Sequence, residues 1–224
     1  MSIAERLREV EARLTSACAA AARPRDSVLL VAVSKTHPAS AIREAYALGI
    51  RDFGESYAQE LAEKAEALAD LVDLRFHFIG HLQSNKAKVV AAHAYLVHTV
   101  HSASIARELG KRASANGRPL PVLLEVNVGG EAQKHGCAPG DLSALLAFAR
   151  TESSLQVRGL MTIPPDDETL AAKAFRDLAQ LRDAHGGIAQ LPELSMGMSG
   201  DLELAVAAGA TMVRIGTALF GPRE

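Results

Sequence analysis

From residue 28 onward, short apolar runs alternate with amphipathic stretches, and this alternation constrains the fold more than any other feature of the chain. The pattern predicts strands at 28–34, 51–54, 75–79, 95–99, 121–127, 155–160, 193–195 and 211–215. Helices are predicted between them, at about 39–48, 57–70, 84–92, 103–115, 140–150, 167–185 and 200–208. Runs such as Val28–Val33 and Val122–Val126 are continuously apolar, as expected of parallel strands covered on both faces. Gly49, Gly117, Gly186 and Gly209 fall where helices should end, the position that favours a left-handed cap. Eight strand–helix units in 224 residues predict one domain, a single (β/α)8 TIM barrel over residues 1–224. A doubly wound open sheet is the alternative. An extra N-terminal helix precedes the first strand. Ser2 and Glu5 have capping-box spacing, and Ile3, Leu7, Val10 and Leu14 recur at helical intervals.

Several functional classes are disfavoured by composition. The formal net charge is -2, without the clustered basic face that nucleic acid requires, and aromatics make up only 4%. Charged residues interrupt the N-terminal segment, so no secretory leader is expected, and no apolar run is long enough to cross a membrane. Cys18 and Cys137 stand alone, without metal or redox spacing, and fit unpaired thiols in a reducing cytoplasm. No metal site is expected. His77 and His81 straddle a strand end, whereas His93, His98 and His101 look scattered.

In a barrel of this kind, ligands bind where strands end. Lys35 ends the first strand, in Val33-Ser34-Lys35-Thr36, where an amine can form a Schiff base with an aldehyde. The last two strand ends carry Ser199-Gly200 and Gly216-Thr217. Ser199 and Gly200 are predicted to open a helix whose free N–H groups and dipole favour an anion. Gly216 allows close backbone approach. Arg214 lies in an apolar context at the end of strand eight, either in a structural ion pair or aimed at a ligand. Lys134 reads as a mobile loop lysine, Lys86 as a charge on the helix surface or in the anion field at the cavity mouth, and Asp166-Asp167 as a helix cap.

Longer blocks carry a family resemblance. They are Val33-Ser34-Lys35-Thr36, Phe53-Gly54-Glu55-Ser56-Tyr57-Ala58-Gln59-Glu60 and His77-Phe78-Ile79-Gly80-His81-Leu82-Gln83-Ser84-Asn85-Lys86. Gly159-Leu160-Met161-Thr162, Ser195-Met196-Gly197-Met198-Ser199-Gly200-Asp201 and Val213-Arg214-Ile215-Gly216-Thr217-Ala218-Leu219-Phe220-Gly221 complete the set. In order and content they resemble the YggS/PROSC family of pyridoxal phosphate homeostasis proteins. The resemblance implies a barrel similar to the N-terminal domain of alanine racemase, with pyridoxal 5'-phosphate (PLP) held as an internal aldimine on Lys35. It further implies phosphate contacts from Ser199, Gly200, Gly216 and Thr217, Arg214 near the ring or phosphate, and Met161 and Met196 beside the ring. Ser56 stands where the family usually has asparagine, which leaves a shorter hydrogen-bonding side chain against the ring.

A racemase requires a base on each face of the substrate carbon. In the racemase relatives the second is a tyrosine from a separate domain of a partner subunit. Here Tyr46 falls mid-helix, Tyr95 near the start of a strand, and only Tyr57 near a strand end. Arg214, a cation, would also disfavour a protonated cofactor ring. The expectation is therefore a cytoplasmic, monomeric protein that stores, buffers or delivers PLP to apo PLP-dependent enzymes, without catalysis of its own. The alternatives are a PLP-dependent amino-acid racemase or related enzyme, and a barrel that binds a sugar phosphate without any Schiff base.

Overall fold

The computed structural model describes residues 1–222; Arg223 and Glu224, which the expected domain includes, lie outside the described residues. Eight parallel strands close into a barrel in sequence order, and the open-sheet alternative is excluded by the pairing of β1 with β8. The strands are β1 Leu29–Val33, β2 Asp52–Glu55, β3 Arg75–Phe78, β4 Leu96–Val100, β5 Leu120–Glu125, β6 Leu155–Met161, β7 Glu193–Ser195 and β8 Met212–Ile215. The helices are α1 Ile3–Ala20, α2 Ala39–Ala47, α3 Ala58–Ala67, α4 Ala87–His93, α5 Ala103–Ala115, α6 Leu142–Thr151, α7 Glu168–Ala184, α8 Gly187–Gln190, α9 Leu202–Ala207 and α10 Thr217–Phe220.

Local chemistry sets the helix boundaries. The Ser2–Glu5 capping box opens α1. The side chains of Ser102 and Asp167 cap α5 and α7 by accepting from Ile105 N and Leu170 N. All four predicted C-terminal glycines adopt positive φ, Gly49 at 99° and Gly209 at 97° among them, which costs glycine little and any other residue more. Three helix starts differ from expectation by two residues or more, and α3 ends at Ala67 and not at 70. Short 3-10 turns at Ser84–Lys86 and Pro139–Asp141 replace the expected starts of α4 and α6. α9 begins at Leu202 and not at 200, because the Asp201 carboxylate takes the Met198 N–H at 2.5 Å and holds 198–201 as a turn. The short α8 and α10 were not foreseen; neither is long enough to show helical periodicity.

The main core lies between the barrel and its helical shell, where Leu14, Ile42, Phe53, Leu61, Leu109 and Phe175 are fully buried. Each such side chain contributes on the order of 2 kcal/mol of transfer free energy. A smaller apolar cluster, Val31, Leu96, Leu123, Met161 and Met212, fills the inside of the barrel. α1 packs against α9 and α10 and so braces the barrel where its first and last strands meet. Arg13 on α1 pairs with Glu203 and also donates to Ser199 O at 2.9 Å, tying the extra helix to a loop at the C-terminal mouth. Among the described residues, no helix is long and apolar enough to cross a membrane.

Candidate functional site

A cavity of about 290 Å³ opens at the C-terminal ends of the strands. Seven of the nine expected site residues line it: Lys35, Ser56, Ser199, Gly200, Arg214, Gly216 and Thr217. β1, β2, β7 and β8 deliver them from four separate stretches of chain. Met161 and Met196 do not line it. Met161 points into the barrel but packs in the apolar cluster inside it, while Met196 follows an inward-facing Ser195 and therefore turns outward into the core beneath the helices. The apolar wall comes instead from Val33, Ile79, Ile163 and Met198.

Lys35 is clamped through its neighbours. On one side, Ser34 Oγ donates to Glu55 Oε1 at 2.7 Å, and Lys64 Nζ donates to both Ser34 O and Glu55 Oε1 at 2.7 Å. On the other, Thr36 N donates to both Glu60 oxygens at 3.0 Å. Thr36 has φ 67°, a left-handed conformation that a β-branched residue adopts only when its surroundings impose it. α3 thus carries two residues, Glu60 and Lys64, that fix the backbone on either side of the amine. Burial pushes the Glu55 carboxyl up to about 7, although Lys64 and Ser34 pull it down. These clamp residues were missed in the sequence. Glu60 and Lys64 lie one turn apart on a polar helix face that resembles any solvated surface, and Glu55 sits in a strand.

The Arg214 guanidinium is buried and donates to Ser195 Oγ at 2.7 Å and to Thr162 O at 3.0 Å. Burial pulls its pKa down to about 10, while Asp201 and Glu125 act in the opposite sense. Glu125, pushed up to about 7 by burial, keeps one carboxyl oxygen without a hydrogen-bond partner. Among the described residues, no carboxylate lines the cavity, so Lys35 and Arg214 give it cationic character. The glycines add room for an anion. A Cβ added at Gly200 would meet nothing within 4 Å, and at Gly216 its nearest contact would be Val33 at 3.4 Å. The protein's own packing therefore leaves both positions open, and both face the cavity. At Gly216-Thr217 the start of α10 supplies N–H groups without intrahelical acceptors.

Other expectations need correction. Lys134 is not a loose loop lysine: its Nζ donates to Pro164 O at 2.6 Å and pairs with Glu131. Of the histidines that looked scattered, His98 and His101 belong to groups. His77 and His98 are hydrogen-bonded at 2.9 Å, and His81 stacks on His135 and His101, with ring centroids 3.6 Å and 4.8 Å apart. Their partners lie on different strands or loops, so spacing along the chain did not reveal them. Of the tyrosines, Tyr46 bonds Asp73, Tyr95 lies beside Arg75 at the opposite end of the barrel, and exposed Tyr57 caps α3; none lines the cavity.

Comparison with known proteins agrees with this architecture. Residues 6–224 match the family model described as alanine racemase, N-terminal domain. A pyridoxal phosphate homeostasis protein of Pseudomonas aeruginosa is 50% identical, the match covering 100% of this chain and 96% of that protein. The structure of PipY from Synechococcus elongatus with PLP bound superposes with a TM-score of 0.81 at 41% identity, covering 98% of this chain and all 100% of PipY. An alanine racemase of Clostridium difficile shares the fold, with a TM-score of 0.73 at 14% identity over 96% of this chain and 56% of its own. By sequence along its whole length and by fold, the chain belongs to the pyridoxal phosphate homeostasis protein family, built on the alanine racemase N-terminal domain.

Proposed function

We propose that residues 1–224 form one cofactor-holding domain that binds PLP at the C-terminal mouth and keeps it available for other proteins. The observation that carries this reading is the meeting, in one cavity, of a clamped lysine and two side-chain-free positions beside a helix start. Lys35 is the amine for the aldehyde, and Ser199, Gly200, Gly216 and Thr217 form the cradle for the phosphate. Arg214 and Ser56 serve the polar edge of the ring, and Val33, Ile79, Ile163 and Met198 supply apolar contact. When bound to a lysine, PLP supplies an electron sink for amino-acid chemistry. This site favours holding over turnover. Arg214 faces it as a cation, which disfavours a protonated ring, and the tyrosines, the candidates for a second base, stand elsewhere. Release to apo PLP-dependent enzymes, by a monomer in the cytoplasm, completes the reading.

The test is spectroscopic. Purified protein mixed with PLP should show a visible band that borohydride traps on Lys35, with Lys35→Ala abolishing both. A band that survives the substitution overturns the assignment. Chiral analysis of alanine and serine separates carrier from racemase: rapid, Lys35-dependent racemisation overturns the carrier reading.

A further inference from the structure

The inside of the barrel carries a buried polar chain that the cavity alone does not explain. From mouth to base it runs from Arg214 Nη1 to Ser195 Oγ (2.7 Å), to His98 Nδ1 (2.8 Å), from His98 Nε2 to His77 Nδ1 (2.9 Å), and from His77 Nε2 to Asp52 Oδ1 (2.8 Å). Ser195, His77 and His98 are fully buried, and Asp52 and Arg214 nearly so. The five residues come from β8, β7, β4, β3 and β2, so the chain crosses the barrel between β7 and β4. At the base, Asp52 Oδ2 also accepts from Arg75 at 2.5 Å. Beyond lies a second cavity of about 460 Å³, lined by the opening residues of the strands.

The ends of this chain fix its direction. Arginine can only donate and a carboxylate can only accept. If every link points from Arg214 toward Asp52, Ser195 accepts from Arg214 and donates to His98 Nδ1. His98 donates from Nε2 to His77 Nδ1, and His77 donates from Nε2 to Asp52. Every proton then has an acceptor, and both rings are neutral. The reverse polarity would need a doubly protonated His77 and would leave the Ser195 hydroxyl proton without an acceptor in a fully buried site. Burial, reinforced by His77 and Arg214, also holds His98 well below the usual histidine range.

We propose that Ser195, His98 and His77 are positioning residues forming a one-way hydrogen-bond relay, anchored on Asp52, that holds Arg214 in place at the cofactor cavity from the far end of the barrel. Its effect on the cofactor rests on the PLP reading above; its polarity does not. The groups that face it are Arg75 and Tyr95 beside His77, Arg214 beside His98, and Glu125 and Asp201 around Arg214. The relay moves no net proton. It fixes a donor.

Ring-nitrogen NMR on the 15N-labelled full chain tests the polarity directly. His77 and His98 should each appear as a neutral ring protonated at Nε2. A ring protonated at Nδ1, or at both nitrogens, overturns the relay. Asp52→Asn tests the reach. Although it lies at the opposite end from the cavity, it should perturb the His98 ring resonances and the visible band of the PLP-loaded protein. It should also weaken PLP retention about threefold to tenfold. A folded Asp52→Asn variant with unchanged band and affinity overturns the positioning role. If Asp52→Asn does not fold, Ser195→Ala in the PLP-loaded protein is read by the same band and affinity, again with no change as the overturning result. Absence of any band in the wild type instead counts against the PLP reading, while the NMR result still decides the polarity.

Discussion

The two ends of the barrel are made from the same eight strands, yet they handle charge in opposite ways. At the base, Asp52 is held by Arg75 and His77, which together keep its carboxyl below the usual range despite burial, and Arg51 pairs with Asp73. At the mouth, Glu55 and Glu125 each keep one carboxyl oxygen unpartnered, and both are pushed up to about 7 by burial. A barrel built for stability alone would resolve the mouth as it resolves the base. Instead, buried carboxylate oxygens without a hydrogen-bond partner stand at the strand ends where ligands bind, whereas the base leaves the Nε of Arg75 in that state and no oxygen of Asp52.

Perturbing each end in turn can break this contrast. The largest effect is expected from Lys64→Met, which leaves Glu55 buried without its counter-charge. Denaturant unfolding at mildly alkaline pH should show a loss of about 3 kcal/mol. A loss no larger than that of an exposed pair would show that the clamp does not hold the mouth together. Next comes Glu125→Gln, whose effect depends on pH. A carboxyl raised from 4.5 to about 7 in the folded protein binds its proton more tightly there than when unfolded. Its contribution is favourable below about 4.5 and is lost as pH rises through about 7. The variant should therefore be more stable than wild type above pH 7, by on the order of 2 kcal/mol, with the difference vanishing toward pH 4. A gap independent of pH would remove Glu125 from the contrast.

At the base, Arg75→Met should cost about 1 kcal/mol, because the guanidinium is partly exposed and His77 still holds Asp52. Thermal melts would check this, and a cost above that of Lys64→Met would reverse the ranking of the two ends. The smallest effect is expected at Arg13→Ala, which breaks a largely exposed pair with Glu203 and should change global stability by about 0.5 kcal/mol. Hydrogen exchange should nevertheless rise at 198–201, the turn whose Ser199 carbonyl Arg13 holds. Unchanged exchange there would show that α1 does not brace the mouth.

Much of this was legible in the sequence because it follows one-dimensional rules. Apolar runs, helix-ending glycines and capping residues gave the barrel and most of its boundaries. Seven of the nine expected site residues reached the cavity because strand ends converge on one face. Of the two exceptions, Met196 depended on which way a side chain turns at a strand end, where a single step of the pleat exchanges inside for outside, and Met161 on how deep in the barrel an inward side chain packs. The clamp and the relay were not legible. Their members are ordinary polar residues on different elements, as with His98 and Ser195, whose contact spans 97 positions. Only closure of the ring brings them within hydrogen-bond distance.

That closure has a consequence for the order in which the site can come into being during synthesis. The clamp around Lys35 lies wholly between Ser34 and Glu55–Lys64, one short and continuous stretch of chain. Its opposite wall, from Ser199 to Thr217, is made well after it, and it meets β1 only when Leu30 pairs with Val213 and Val31 with Arg214. A nascent chain thus carries a poised lysine long before it has a cavity. A molecule that spans both walls recognises only a finished ring, so its binding reports the completeness of the barrel.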